Sequence, residues 1–201
     1  MELILIRHGE SEGNKKHLIY GHTDYPLTEK GRKQIPYIVE SLGHYKLTQI
    51  ISSPLLRAKA IGEGIEAAFA IPLVTDDRLK EIYFGKYEDV ESKKVMALLG
   101  DTYYQLIGFL DNYQIPEGEN QKDFLLRVQA FIDELLLKED GTYVLTTHFG
   151  VIKGILNYLM GYDKKQLRAM AIKPGAVIKL SIKKDRVRLD ELIQTYDRVE
   201  D

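Results

Sequence analysis

Three short runs, Leu3-Ile4-Leu5-Ile6, Gln49-Ile50-Ile51-Ser52 and Tyr143-Val144-Leu145-Thr146, set the tightest limit on how this chain folds. Each is too short for an ordinary helix, and the continuous apolar character of the first predicts a strand buried on both faces. Between the runs lie helical patterns. Thr28 offers an N-cap for a helix reaching about residue 42, in which Pro36 is expected to cause a kink or a break. Residues 55–69 form an Ala-rich helix, followed by a short strand at 71–74. Residues 119–137 carry Phe124, Val128, Phe131 and Leu135 on one helical face, and residues 151–160 form the next helix. Residues 176–182 and 186–193 read as a terminal hairpin turning at Lys184-Asp185, with a frayed tail after Tyr196.

Strands that alternate with helices predict a three-layer α/β/α sandwich with a mostly parallel sheet and an antiparallel edge supplied by the hairpin. At 201 residues the chain fits one domain, residues 1–201. The stretch 86–116 shows no clear strand and holds tyrosines at 87, 103, 104 and 113, so it is expected to be a helical lid insertion over the sheet. Ligands in such sheets bind beyond the carboxyl ends of the strands.

The net charge of −2 gives no broad basic field for nucleic acid or an anionic membrane, so an anionic substrate needs a locally basic pocket. Cysteine is absent, which removes both a disulfide framework and a thiolate nucleophile, and with it the cysteine-dependent phosphatases and proteases. The apolar start is too short for a signal peptide and ends at Arg7, and no segment reaches the roughly 20 apolar residues of a membrane span. A cytoplasmic location is expected. No His-Glu-x-x-His spacing suggests a metal, no cofactor is expected, and nothing in the pattern fixes an oligomeric state.

Arg7-His8-Gly9-Glu10 follows the first strand. Gly9 leaves room beside the imidazole, and Arg7 supplies a forked cation suited to phosphate oxygens. Asn14 comes within reach if the following loop folds back. His148 follows the strand at 143–146, Arg57 opens the helix after the second strand, and Glu81 lies beyond the third beside Ile82 and Phe84. A carboxyl among such neighbours has a raised pKa, which suits a general acid. Taken singly, each has an ordinary alternative: a core histidine, a solvated arginine, or one glutamate among 30 acidic residues. What joins them is location, beyond the strand ends of one sheet.

In these residues the chain resembles the histidine phosphatase superfamily, the branch of phosphoglycerate mutases and related phosphatases. The likeness runs in order from Arg7-His8-Gly9-Glu10-Ser11 with Asn14, through residues 21–31 with Asp24 and Pro26-Leu27-Thr28, to residues 52–58 with Arg57. It continues through residues 78–85 with Glu81 and 116–119 to residues 147–152 with His148. Three departures stand out: Tyr87-Glu88-Asp89 where many members have Trp-Glu-Gly, Phe149 in place of a glycine, and Ala60-Ile61-Gly62 in place of Thr-Ala.

The resemblance implies that a neutral His8 attacks phosphorus while a backbone carbonyl holds its other ring nitrogen. It further implies that Arg7, Arg57 and His148, assisted by Asn14, stabilise the phosphoryl oxygens, and that Glu81 protonates the leaving alkoxide without a metal. The expected substrate is a small phosphorylated metabolite. Gly21, Phe149, Tyr20, His22 and Tyr87 are the candidate substrate contacts, with Tyr103 and Tyr104 as further lid contacts. Residues 86–116 contain three lysines, no arginine and no Pro-Pro run, which favours a phosphatase over a cofactor-dependent phosphoglycerate mutase. A non-catalytic phosphate-binding protein on the same fold is the remaining alternative.

Overall fold

The computed structural model describes residues 1–184 and 186–199. Its elements run β1 (Glu2–Arg7), α1 (Glu12–Lys15), β2 (Leu18–Ile19), α2 (Glu29–Leu42), β3 (Leu47–Ser52), α3 (Leu56–Phe69), β4 (Leu73–Thr75), β5 (Val90–Glu91), α4 (Ser92–Leu99) and α5 (Thr102–Leu106). They continue with α6 (Gln121–Leu136), β6 (Thr142–Thr147), α7 (Phe149–Met160), α8 (Lys164–Ala169), β7 (Val177–Lys183) and β8 (Arg186–Ile193).

The main sheet has strand order β4-β3-β6-β1-β7-β8. Its first four strands are parallel, and β7 and β8 continue it antiparallel. The continuity of the apolar runs follows from cover on both faces. Leu3, Leu5 and Leu145 pack against Phe124 and Phe131 of α6 and Ile152 and Ile155 of α7. Ile4, Ile6 and Val144 pack on the opposite face against Ile38 and Leu42 of α2 and Ile61 and Ile65 of α3. The register sets Arg7 beside Thr147 and Ser52 beside Thr146, so the carboxyl ends of β1, β3 and β6 come out level.

Four local expectations need correction. Pro36 neither splits α2 nor ends it: Pro36 and Arg32 lie on the exposed side, where water can serve the Arg32 carbonyl that proline leaves without a partner. The stretch 86–116 is not strand-free, because Glu91 and Val90 pair with Leu18 and Ile19 in a two-stranded ribbon. The tail after Tyr196 is not frayed as far as Val199, which is buried. Thr195 is buried, residues Tyr196–Arg198 form a 3₁₀ turn, and the Tyr196 hydroxyl donates to the Glu10 carboxylate at 2.8 Å. Finally, α8 adds a short helix where the sequence pattern predicts no element. Of the proposed hairpin turn, Lys184 is described, whereas Asp185 lies outside the described residues, as do Glu200 and Asp201. Among the described residues no helix is long and apolar enough to cross a membrane.

Candidate active site

His8 sits one residue beyond β1, its N–H donating to Thr147 O at 2.9 Å and its carbonyl accepting from Gly175 N at 2.8 Å. These bonds fix the backbone from both neighbouring strand ends. The imidazole Nδ1 lies 2.7 Å from Gly9 O. A carbonyl can only accept, so Nδ1 carries the proton and Nε2 keeps a free lone pair. Burial, helped by the charges of Arg57 and Arg7, pulls the pKa of His8 well below the ordinary histidine value. The ring is therefore neutral at neutral pH.

His148 takes the N-cap position of α7, with its ring centroid 5.3 Å from that of His8. Its Nε2 shares a 2.8 Å hydrogen bond with Ser53 Oγ, while Nδ1 is buried without a protein partner. Burial first, then Arg57 and His8, lowers its pKa in the same direction.

Arg57 lies in the first turn of α3 and is 0% exposed. Its guanidinium donates to Gly21 O at 2.6 Å and Thr23 O at 3.1 Å, and sits 4.7 Å from the centroid of the Tyr20 ring. Arg7 donates to Ile172 O at 2.6 Å and lies 4.9 Å from the Phe149 ring centroid. Each guanidinium keeps its Nε buried and without a protein partner. Such donors are costly to leave unmet, and an oxyanion is their natural complement.

Glu81 is buried, with Oε2 accepting from Gly150 N at 2.9 Å and Oε1 from Ile82 N at 3.1 Å. Burial raises its pKa, although those N–H groups, Arg57 and Arg7 oppose the rise. Its segment is clamped from α6: Arg127 donates to the carbonyls of Arg78, Lys80 and Glu81 at 2.7, 2.8 and 3.1 Å and pairs with Glu119 at 2.6 Å. Gly150 is required here, since a Cβ would stand 2.4 Å from Glu81 Oε1.

Arg7, His8, Asn14, Arg57 and Glu81 line one cavity of about 230 Å³. Its other walls come from Tyr20 and from Leu18, Ile19, Phe84, Ile107, Phe109 and Phe149. Asn14 is held by its own capping box, its Oδ1 accepting from Ser11 N at 3.1 Å.

Gly21, His22, Tyr87 and His148 do not line this cavity, although the His148 ring lies 5.3 Å from that of His8. Gly21 acts through its backbone: its carbonyl aligns Arg57, and a Cβ would stand 1.7 Å from Ile82 O. His22 is exposed and stacks on Tyr83 with centroids 5.1 Å apart. Tyr87 is buried and hydrogen-bonded to the Tyr113 side chain. Tyr103 is buried against the Ser92 hydroxyl, and Tyr104 is about half exposed.

Several contributors were not anticipated. Ser53 orients His148, and Ile107 and Phe109 complete the apolar wall. Glu88 accepts from the backbone N–H groups of Gly21, His22 and Phe84 at 2.8, 3.1 and 3.0 Å through Oε1, and from Thr23 N at 2.9 Å through Oε2. Burial alone would raise its pKa, but these donors and the Thr23 hydroxyl outweigh it and leave the pKa lowered. Ser53 follows the last residue of β3 and lies in the stretch 52–58 that carries the family resemblance.

Residues 3–195 match the family model of the histidine phosphatase superfamily (branch 1). A protein of Yersinia pestis (strain Pestoides F) named "Probable phosphoglycerate mutase GpmB" is 29% identical over 174 residues, 86% of this chain and 81% of that protein. A mycobacterial glucosyl-3-phosphoglycerate phosphatase solved with VO3 is 26% identical, with a TM-score of 0.82 over 94% of this chain and 96% of that one. A proposed α-ribazole-5′-P phosphatase of Escherichia coli K-12 shares the fold at a TM-score of 0.84 over 97% of both chains, with 24% identity.

Proposed function

This chain belongs to the histidine phosphatase superfamily, and from that premise we propose that it is a metal-independent phosphomonoesterase acting on a small phosphorylated metabolite through a phosphohistidine at His8. The observation that carries this reading is the bare Nε2 of a buried, neutral His8 in a cavity that Arg7 and Arg57 also line.

In the first step Nε2 forms a bond to phosphorus and the ester P–O bond breaks. The departing oxygen takes the proton of Glu81. In the second, water attacks the phosphorus and yields its proton to the Glu81 carboxylate. The P–N bond breaks with its electron pair returning to Nε2. Arg7, Arg57 and His148, whose remaining buried donors lack protein partners, stabilise the charge spread over the phosphoryl oxygens. The two guanidiniums take the role that a divalent cation plays in other phosphoryl-transfer sites. The same reading treats residues 1–201 as one domain working on a dissolved cytoplasmic metabolite, with part of 86–116 walling the leaving group.

A mutase would share the first step and pass the phosphoryl group to a second hydroxyl. A relative carries that name, but among the described residues no cation beyond Arg7 and Arg57 lines the cavity for the carboxylate of a phosphoglycerate. A non-catalytic binder would not need a raised-pKa carboxyl opposite a neutral histidine. Purified protein should hydrolyse p-nitrophenyl phosphate between about pH 5 and pH 8 with excess EDTA present. Absence of turnover across that range would refute the enzyme reading, and strong inhibition by EDTA would refute metal independence.

A further inference from the structure

Resting on the phosphatase reading above, we infer that this site is built for phosphate esters of small, uncharged, apolar alcohols and discriminates against substrates carrying a second anion. The cations that line the cavity are Arg7 and Arg57, which belong to the phosphoryl end with His8. The leaving-group end is made of Leu18, Ile19, Phe84, Ile107, Phe109 and Phe149. A carboxylate seated there would lose its hydration without an ionic partner. Lys153 does not supply that partner. It is 5% exposed, its Nζ lies 4.1 Å from the Phe149 ring centroid, and it is not among the lining residues.

A sugar fares little better. The Tyr20 hydroxyl is already paired with Ser11 Oγ at 2.5 Å, and Asn14 Oδ1 with Ser11. The volume of about 230 Å³ falls below the roughly 300–1,000 Å³ of sites for drug-sized ligands, which favours a small alcohol.

The apolar wall is also held rigid. Phe109 meets Phe149 edge-on at 6.0 Å between centroids and Phe84 at 6.2 Å. The segment carrying Ile107 and Phe109 is pinned to α6 by the fully buried Gln121 amide. Gln121 accepts from Asp111 N at 3.0 Å and donates to the carbonyls of Gln105 and Leu106 at 2.8 and 3.0 Å. A preorganised apolar wall favours an apolar group without the cost of ordering it on binding.

The test compares kcat/KM for benzyl phosphate, glycerol 3-phosphate and 3-phosphoglycerate, all primary alkyl esters with similar leaving oxygens. Benzyl phosphate should exceed both others by about tenfold or more. Equal or better turnover of either polar ester overturns the inference while leaving the phosphatase reading standing. Failure to turn over any ester, p-nitrophenyl phosphate included, overturns both. Ile107→Lys adds a cation to the wall and should move the ratio of benzyl phosphate to 3-phosphoglycerate about tenfold toward the latter. An unmoved ratio overturns the assignment of this wall to the leaving group.

Discussion

His8→Ala should lower turnover of p-nitrophenyl phosphate by about 10⁴-fold or more while the protein stays folded. Covalent catalysis needs a lone pair on a fixed, uncharged nitrogen, and His8 Nε2 is the candidate that the geometry prepares. Its tautomer is set by Gly9 O at 2.7 Å, and its neutrality by burial with Arg57 and Arg7 nearby. The backbone bonds of residue 8 to Thr147 and Gly175 do not depend on the side chain, so the loop should keep its place in the variant. A second readout checks the electrostatics. The pKa of His8 is lowered in the folded state, so as pH falls below the ordinary value of about 6.5 the unfolded chain takes up a proton that the native state refuses. Wild-type stability should fall on acidification in that window, and His8→Ala should lose about 1.4 kcal/mol less per pH unit there. Activity within tenfold of wild type would remove His8 from the mechanism.

Glu81→Gln should lower kcat/KM for benzyl phosphate by roughly 10²- to 10⁴-fold, and for p-nitrophenyl phosphate far less. An alkoxide needs a proton as it departs, whereas nitrophenolate does not. The parameter kcat/KM isolates this step, because it ends with the formation of the phosphoenzyme. The pH dependence has a definite sign. Burial raises the pKa of Glu81, so the acid form persists above the ordinary carboxylate range and the alkyl-ester rate should decline as pH rises through that raised value. His8, lowered well below its ordinary value, should place the acid limb below about 6.5. The glutamine variant should lack the alkaline limb. Equal slowing for both leaving groups would count against Glu81 as the acid.

The sheet was legible because a strand buried on both faces must be apolar throughout, as β1 is, with α6 and α7 on one side and α2 and α3 on the other. The gathering of His8, Arg57, Glu81 and His148 was legible for a related reason: level strand ends leave the following residues one place to converge. The ribbon of β2 and β5 was not, since two-residue strands carry no periodicity. Helix α8 carries a local signal in sequence, the capping box of Asp163 and Gln166. The docking of the tail was not legible, because nothing near Tyr196 in sequence reveals that Glu10 accepts its hydroxyl. Tyrosines misled for the opposite reason. Tyr87 and Tyr103 sit in the right segment, but packing and a hydroxyl partner satisfy each away from the cavity. Phe109 serves the wall instead, and its backbone in the left-handed region, φ 65°, gives no sequence clue for a phenylalanine.

The most direct test of the account is to mix wild-type protein with p-nitrophenyl phosphate, quench within the first turnover under alkaline conditions, and locate any bound phosphoryl group by mass spectrometry. The expected result is a transient phosphoryl group on His8 that decays as substrate is exhausted and never forms in His8→Ala. Steady hydrolysis with no protein-bound phosphoryl group, or with the group on another residue, would contradict the account.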